Sequence, residues 1–153
     1  MSDPTLYQYC QKMLLFKNDR SEILLARRVG EADYDATYTL TGGKLETTDG
    51  SIIGGLRREK NEELGKDVKV SICPHTSFNT YYVKASGQHM IVPHYYAEFR
   101  GGDINLSDEY DDYKWVPMSE LKSFEPKIEN IYKIALWAQK LRPILSDKDM
   151  VEI

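Results

Sequence analysis

The sequence contains few cysteines, no long apolar stretches and no basic excess. Its 153 residues include only Cys10 and Cys73, too few for a disulfide framework, and this favours a cytoplasmic location. No apolar run approaches the ~20 residues that span a bilayer, so we expect no membrane segment. The first residues show no basic segment followed by an apolar one, so we expect no secretory signal either.

Acidic residues outnumber basic ones. The chain has 20 Lys and Arg against 24 Asp and Glu, which gives a net charge of -4. A surface that binds a polyanion usually carries a clear excess of basic residues, so a polynucleotide partner is disfavoured. A small phosphate compound is compatible with this charge if a cation lies between the two sets of negative groups. The charge balance therefore directs attention to clustered carboxylates.

Length and composition are those of an ordinary globular chain. The mass is 17.7 kDa, with 41% hydrophobic and 29% charged residues. A chain of this size usually forms one domain. We therefore expect a single domain over residues 1–153, with a short polar tail at about 143–153.

Apolar patterning predicts a sheet accompanied by two main helices. Apolar residues at helical spacing predict one helix from Ser51 to Leu64 and another that follows Pro126 and ends near Leu141. Short β-type runs separated by turn residues predict the strands. These runs are Tyr7–Phe16, Glu22–Arg28, Tyr38–Leu40, Asp67–Cys73, Thr76–Lys84, His89–Phe99 and Tyr113–Val116.

Three carboxylates share one face of the first predicted helix. At 100° per residue, Glu62 lies about 60° from Glu59 on one side and Glu63 about 40° on the other. Two such carboxylates about 5 Å apart repel by about 3 kcal/mol at an effective dielectric of 20, and a divalent cation removes that repulsion. Oxygen donors suit Mg²⁺ or Mn²⁺. In isolation, however, such a run is more often a solvated acidic surface.

A glycine turn precedes this helix and favours a binding site over a solvated acidic surface. Gly42 and Gly43 allow backbone angles that are closed to other residues, and Lys44 follows them directly. Such a turn brings backbone groups and one ammonium toward the carboxylates. The combination of a glycine turn and a helix with the sequence REKNEE is more specific than either part alone.

The stretch Gly42–Lys66 resembles the signature of the Nudix hydrolases, in which a glycine loop leads into an Arg-Glu-x-x-Glu-Glu helix. The flanking segments ILLARR, Ile23–Arg28, and DDYKWVPMSEL, Asp111–Leu121, resemble strands of the same family. The resemblance implies an α/β (α+β) fold, a Nudix-like α/β/α sandwich with a mixed central β-sheet. It also implies Mg²⁺-dependent hydrolysis of the pyrophosphate bond in a nucleoside diphosphate linked to another group, with Mn²⁺ as the alternative ion.

The resemblance also implies the roles of individual residues. The metal ligands would be the Gly42 carbonyl and the carboxylates of Glu59, Glu62 and Glu63. Glu59 and Glu62 would be catalytic together with Arg58, which orients the helix glutamates. One of the glutamates would help to deprotonate the attacking water.

Residues outside the helix would bind the substrate. The resemblance implies phosphate contacts for Arg28 and Lys44, and an additional acid from a late loop, for which Glu109 is our preferred candidate. Tyr34 or Tyr38 lies close to the glycine turn, where it would either stack on a base or pack against the sheet. The expected partner is a small nucleotide, with no membrane partner, and the chain is expected to be a monomer or homodimer.

The sequence departs from the signature at several positions. The family signature also has a glutamate between its glycine and its arginine, six positions after the glycine and eight positions before the arginine. Counting back from Arg58 places this glutamate at Gly50, with Asp49 as the nearest acid, whereas counting forward from Gly43 places it at Asp49, so the loop is one residue longer than the signature. Lys60 and Lys66 occupy positions that are usually apolar. These departures motivate an alternative, a non-catalytic Nudix-like nucleotide-binding module or sensor.

Overall fold

A mixed β-sheet lies between helices at the centre of the molecule. A computed structural model describes residues 5–153. The strands are β1 (Gln8–Tyr9), β2 (Lys12–Lys17), β3 (Glu22–Arg28), β4 (Tyr38–Thr39), β5 (Lys69–Val83), β6 (His89–Gly101), β7 (Tyr110–Pro117) and β8 (Val151–Glu152). The helices are α1 (Ile52–Glu63), α2 (Met118–Leu121) and α3 (Ile131–Leu141). Short 3₁₀ turns cover Thr47–Asp49, Arg142–Ile144 and Asp147–Asp149.

The sheet contains both parallel and antiparallel strand pairs. Strand β2 pairs parallel with β6 and antiparallel with β3, and β6 pairs antiparallel with β5. Strand β3 pairs antiparallel with β4 and β7 as well, and β1 runs parallel to β6. The predicted mixed sheet is therefore confirmed.

Both faces of the sheet are covered by helices. Leu14 and Phe16 of β2 belong to the core cluster that includes the inner face of α3. Met13 and Leu15 alternate with them and belong to the cluster on the other face, which includes Leu56 of α1. Because neighbouring residues of a strand point to opposite faces, β2 is buried along its length only if both faces are covered. This arrangement is the predicted α/β/α sandwich.

Strand β5 differs from the prediction. The segments Asp67–Cys73 and Thr76–Lys84 were expected as two strands, but one strand, Lys69–Val83, covers most of both and pairs with β6 on either side of an interruption. The register shifts between Ile72 and Ser77, which places Pro74 within a bulge. A bulge tolerates a residue without an N–H because the regular ladder is interrupted there.

Helix α3 begins later than predicted. It starts at Ile131, five positions after Pro126, which was expected to lie early in the helix. The Tyr38 N–H donates to the Pro126 carbonyl at 3.0 Å, and the Ile128 N–H donates to the Tyr38 carbonyl at 3.2 Å. The residues before the helix therefore pair with β4 and are not available for helical hydrogen bonds.

The final residues lie against the sheet. Strand β8, within the predicted polar tail at about 143–153, pairs antiparallel with β5. The Ile153 N–H also donates to the Val70 carbonyl at 2.9 Å. The single domain over residues 1–153 stays a prediction. Within residues 5–153, no helix has both the length and the apolar character needed to cross a membrane.

Candidate active site

Helix α1 forms where the sequence predicts it. The Ser51 hydroxyl caps its N-terminus by accepting the Gly54 N–H at 2.9 Å. A Cβ at Gly54 would overlap the backbone carbonyl oxygen of Asp49. Glycine within this helix therefore allows the first turn of α1 to pack directly against the 3₁₀ turn that precedes it.

The segment 41–45 runs as an extended chain beside β1 and β2, and its outward groups bind α1. In an extended chain, successive residues direct their backbone groups to opposite sides. Gly42 and Lys44 therefore face α1, where Gly42 N–H donates to Glu63 and Lys44 C=O accepts from Arg58 at 2.9 Å. On the side away from α1, three backbone hydrogen bonds join this segment to residues 9–13. The Thr41 carbonyl accepts the Met13 N–H at 2.9 Å, and the Gly43 carbonyl accepts the Gln11 N–H at 2.8 Å. The Leu45 N–H donates to the Tyr9 carbonyl at 2.8 Å.

Glu63 is the most deeply buried of the three helix glutamates. Only 3% of the surface of this residue is exposed. One carboxylate oxygen accepts the Gly42 N–H at 2.6 Å, and the other accepts the Tyr110 hydroxyl at 2.9 Å. Burial raises the pKa of Glu63 to about 7, although the positive charge of Lys12 and the Gly42 N–H oppose the rise.

This raised pKa predicts a pH-dependent stability of the metal-free chain. The folded pKa of about 7 lies above the ordinary value of 4.5, so the folded state binds the Glu63 proton more tightly. The resulting stability is complete below pH 4.5 and is lost as the pH rises through 7. We expect the free energy of unfolding in EDTA to fall by roughly 2 to 3 kcal/mol between about pH 5 and 8.

Thermal and urea unfolding in EDTA across this pH range measure the effect. The titratable groups that face Glu63 are Lys12, Glu59 and Tyr110. A matched series on Glu63→Gln removes the titrating carboxyl and should flatten this part of the pH profile. The same pH dependence in both proteins would show that another group causes it.

Arg58 donates hydrogen bonds to three carboxylates, one on the loop before α1 and two on the helix. Its guanidinium donates to both oxygens of Asp49, at 2.6 and 3.0 Å, and to Glu59 and Glu62 at 2.8 and 3.2 Å. The paired guanidinium holds the pKa of Asp49 below its usual range. Asp49 is thus the loop residue whose carboxylate binds Arg58, and Gly50, directly after it, has a φ of 73°.

The other two helix glutamates differ in burial. The Glu59 carboxylate lies directly against Gly43, so that a Cβ at Gly43 would overlap it. Burial raises the pKa of Glu59, and the hydrogen bond and charge of Arg58 oppose that rise. The Glu62 side chain is 58% exposed and faces the open part of the site.

All sequence-predicted site residues line one cleft of about 800 Å³, a volume typical of small-molecule sites. Arg28 lies at this cleft in an ion pair with Glu31 at 3.1 Å. The predicted residues that line it are Arg28, Gly42, Lys44, Arg58, Glu59, Glu62, Glu63 and Glu109.

An aromatic pair also lines the cleft. The rings of Tyr34 and Tyr82 lie 5.7 Å apart at an interplanar angle of 44°, and Tyr34 is 45% exposed. Tyr34 has a φ of 58°, which is uncommon for a residue with a side chain. Tyr38, the other tyrosine considered from the sequence, is buried and packs on Phe124. Of the two tyrosines considered from the sequence, Tyr34 is therefore the one that lines the cleft.

Sequence reasoning missed Lys12 and Tyr110. The Lys12 ammonium donates to the Gly42 carbonyl at 3.1 Å, and both residues line the cleft. Lys12 and Gly42 lie 30 residues apart in the chain, and Tyr110 lies 47 residues from Glu63, to which its hydroxyl donates. Neither residue belongs to a motif, so no local signal in the sequence indicates it.

The oxygen atoms of the site fit a hard divalent cation. The Gly42 carbonyl and three carboxylates face one cleft, and each Glu63 oxygen retains a lone pair beyond the single hydrogen bond that it accepts. In residues 5–153, no three His, Cys, Asp or Glu side chains are already grouped as a metal centre. Arg58 donates to one oxygen of Glu59 and one oxygen of Glu62, so the second oxygen of each carboxylate can bind an ion while Arg58 keeps the first.

Comparisons with known proteins agree with this arrangement. A family model described as the NUDIX domain matches residues 12–137. The nucleoside triphosphatase NudI of Salmonella schwarzengrund (strain CVM19633) is 30% identical over 129 residues, which cover 80% of this chain and 91% of that protein. The fold is similar to that of the MutT protein from Methanosarcina mazei Go1, with a TM-score of 0.72, 22% identity and coverage of 92% of this chain and 99% of that one. It is also similar to the NUDIX domain of Shewanella oneidensis NrtR, complexed with ADP ribose, with a TM-score of 0.68, 18% identity and 94% of each chain covered.

Proposed function

The chain belongs to the NUDIX domain family and is a Nudix-type hydrolase, and from this premise we propose that it hydrolyses, with Mg²⁺, a pyrophosphate bond in a nucleoside diphosphate linked to another group. In this reaction, water attacks one phosphorus atom, the bridging P–O bond breaks, and a nucleoside monophosphate is released. The observation that carries the proposal is a single cleft that joins three helix carboxylates, cationic side chains and an aromatic pair.

Four residues would hold the ion: the Gly42 carbonyl, Glu59, Glu62 and Glu63. Bound there, Mg²⁺, or Mn²⁺ in its place, would neutralise phosphate charge and lower the pKa of a water molecule. The hydrogen bonds from Gly42 and Tyr110 hold the Glu63 carboxylate in one orientation. This preorganisation supports its assignment as a ligand.

Glu59 is the favoured acceptor of the proton from the attacking water. Its carboxylate lines the cleft beside Gly43 and is held there by Arg58, so that it can face the attacking water. Arg58 positions Glu59 and, through Asp49, anchors the loop to the helix. Glu62 is the alternative acceptor, since it shares the same face of α1.

The altered residues do not favour the alternative of a non-catalytic binding module. Asp49 makes the bidentate contact with Arg58 in spite of the longer loop. The aliphatic chain of Lys60 is buried, and its ammonium donates to the Val68 carbonyl at 2.7 Å. Lys60 thus fills an apolar position without entering the cleft.

The substrate is proposed from the remaining lining residues. Lys44 and Arg28 would contact phosphate oxygens, and Tyr34 with Tyr82 would support a nucleobase. Glu109 stays a candidate for an additional acid. The Salmonella relatives are named nucleoside triphosphatases, which makes nucleoside triphosphates the first substrates to test. The cytoplasmic location and the state of monomer or homodimer stay predictions.

A substrate panel tests this function. Nucleoside triphosphates, nucleotide sugars, dinucleoside polyphosphates and ADP-ribose are incubated with the chain in Mg²⁺, Mn²⁺ or EDTA, and the products are separated by ion-exchange chromatography. We expect release of nucleoside monophosphate from at least one compound with either ion, and none in EDTA. No metal-dependent release from any compound would favour the binding-module alternative.

A further inference from the structure

The Gly42 carbonyl already has a cationic partner within the chain. The Lys12 ammonium lies 3.1 Å from this oxygen and lines the same cleft. Gly42 is also the backbone ligand proposed for the divalent ion. An ammonium and a metal ion that approach one carbonyl oxygen from the cleft compete for the same lone pairs and repel each other.

The charge of Lys12 compensates the buried carboxylates. Lys12, Glu59 and Glu63 line the same cleft, so the ammonium of Lys12 adds a positive charge beside both carboxylates. Glu63 makes two hydrogen bonds, to Gly42 and Tyr110, but neither donor carries a formal charge. Lys12 therefore supplies a formal positive charge to the carboxylates of the cleft before a metal ion is bound.

The backbone of Gly42 has little freedom to follow the ammonium. The residues on each side of Gly42 are hydrogen-bonded to the segment that contains Lys12. The Thr41 carbonyl accepts the Met13 N–H, and the Gly43 carbonyl accepts the Gln11 N–H. A lysine ammonium, by contrast, lies at the end of a flexible four-carbon stem. When an ion takes the Gly42 carbonyl, Lys12 is the group that moves.

We propose that Lys12 is a positioning residue that takes the place of the metal ion in the metal-free chain, holding the Gly42 carbonyl and balancing Glu63 until the ion displaces it. The proposal rests on the proposed function, because that function assigns Gly42 and Glu63 as ligands. It predicts that Lys12 stabilises the metal-free state more than the metal-bound state.

Substitution of Lys12 by Met separates these two states. K12M keeps the length and apolar stem of the side chain but removes the ammonium. We expect Mn²⁺, titrated into the chain and followed by the electron paramagnetic resonance of free Mn²⁺, to bind K12M about tenfold more tightly than the wild type. We also expect K12M to lower the melting temperature more in EDTA than in saturating Mn²⁺.

Two further variants distinguish the contact between Lys12 and the Gly42 carbonyl from a general effect of positive charge in the cleft. K44M removes another cleft ammonium, and within residues 5–153 Lys44 makes no side-chain hydrogen bond to Gly42. It should change Mn²⁺ affinity less than K12M does. K12R retains a charged donor and should keep the affinity within about threefold of the wild type.

The outcomes separate the two proposals. Any one of three results overturns the role of Lys12. The first is that K12M binds Mn²⁺ no more tightly than the wild type, and the second is that K12M lowers the melting temperature equally with and without Mn²⁺. The third is that K44M changes the Mn²⁺ affinity as much as K12M does. If these results occur while the wild type still binds Mn²⁺ and hydrolyses a panel compound, the proposed function stands. Absence of Mn²⁺ binding to both the wild type and K12M overturns the metal site and the role of Lys12 together.

Discussion

Replacing Glu63 with Gln is expected to lower turnover about 1000-fold while the chain remains folded. The substitution removes the negative charge that the proposed Mg²⁺ site requires, and loss of a metal ligand removes several kcal/mol of transition-state stabilisation. The amide can still satisfy its buried neighbours. Its oxygen can accept the Gly42 N–H, and its NH₂ can donate to the Tyr110 oxygen, because a tyrosine hydroxyl also accepts hydrogen bonds.

The measurement compares turnover at saturating substrate and Mg²⁺ with circular dichroism and melting temperature. Glu120→Gln is a matched control, because Glu120 is exposed on α2 and lies outside the cleft. It should retain wild-type turnover. Turnover of Glu63→Gln within about tenfold of the wild type would contradict the assignment of Glu63 as a ligand.

Replacing Gly43 with Ala is expected to lower turnover about 100-fold with little change in stability. A Cβ at Gly43 would overlap the carbon and both oxygens of the Glu59 carboxylate. That carboxylate is the end of a flexible side chain and can rotate away, and the backbone of Gly43 is not in the left-handed region. The fold is therefore retained, while displacement of a reacting group by about 1 Å lowers the rate by about two orders of magnitude.

The neighbouring glycine provides the contrast. Gly42 has a φ of 129°, and a Cβ there would overlap the Gln11 carbonyl oxygen and lie 2.9 Å from the Cα of Lys12. Because these are backbone atoms, G42A should destabilise the fold itself. Wild-type turnover in G43A would contradict the role of Glu59, and unfolding of G43A as severe as that of G42A would contradict the location of the overlap.

The helix that carries the glutamates could be predicted because its signals are local. The Ser51 cap and the apolar spacing up to Leu64 lie within one stretch, and helical periodicity places Glu59, Glu62 and Glu63 on one face. The sandwich with its mixed sheet could be predicted from the resemblance, and the structure confirms it. The roles of these glutamates stay predictions until the variants are measured.

The loop before the helix could not be aligned from the sequence. Counting from the glycine turn and counting from Arg58 gave positions that differ by one residue. The structure shows that the Asp49 side chain reaches Arg58 and that Gly50, directly after it, has a left-handed conformation. Residue counts cannot show this, because the loop residue whose side chain reaches Arg58 depends on the backbone conformation of the loop.

The sequence alone therefore determined the elements whose causes lie within a few residues: the capped helix, its acidic face and the glycine turn before it. Only the tertiary structure decided that Lys12 and Tyr110 enter the same cleft, and that the residues after Pro126 pair with β4. These contacts join chain segments that are far apart in sequence, so their geometry depends on sheet pairing and helix packing, which no local pattern specifies.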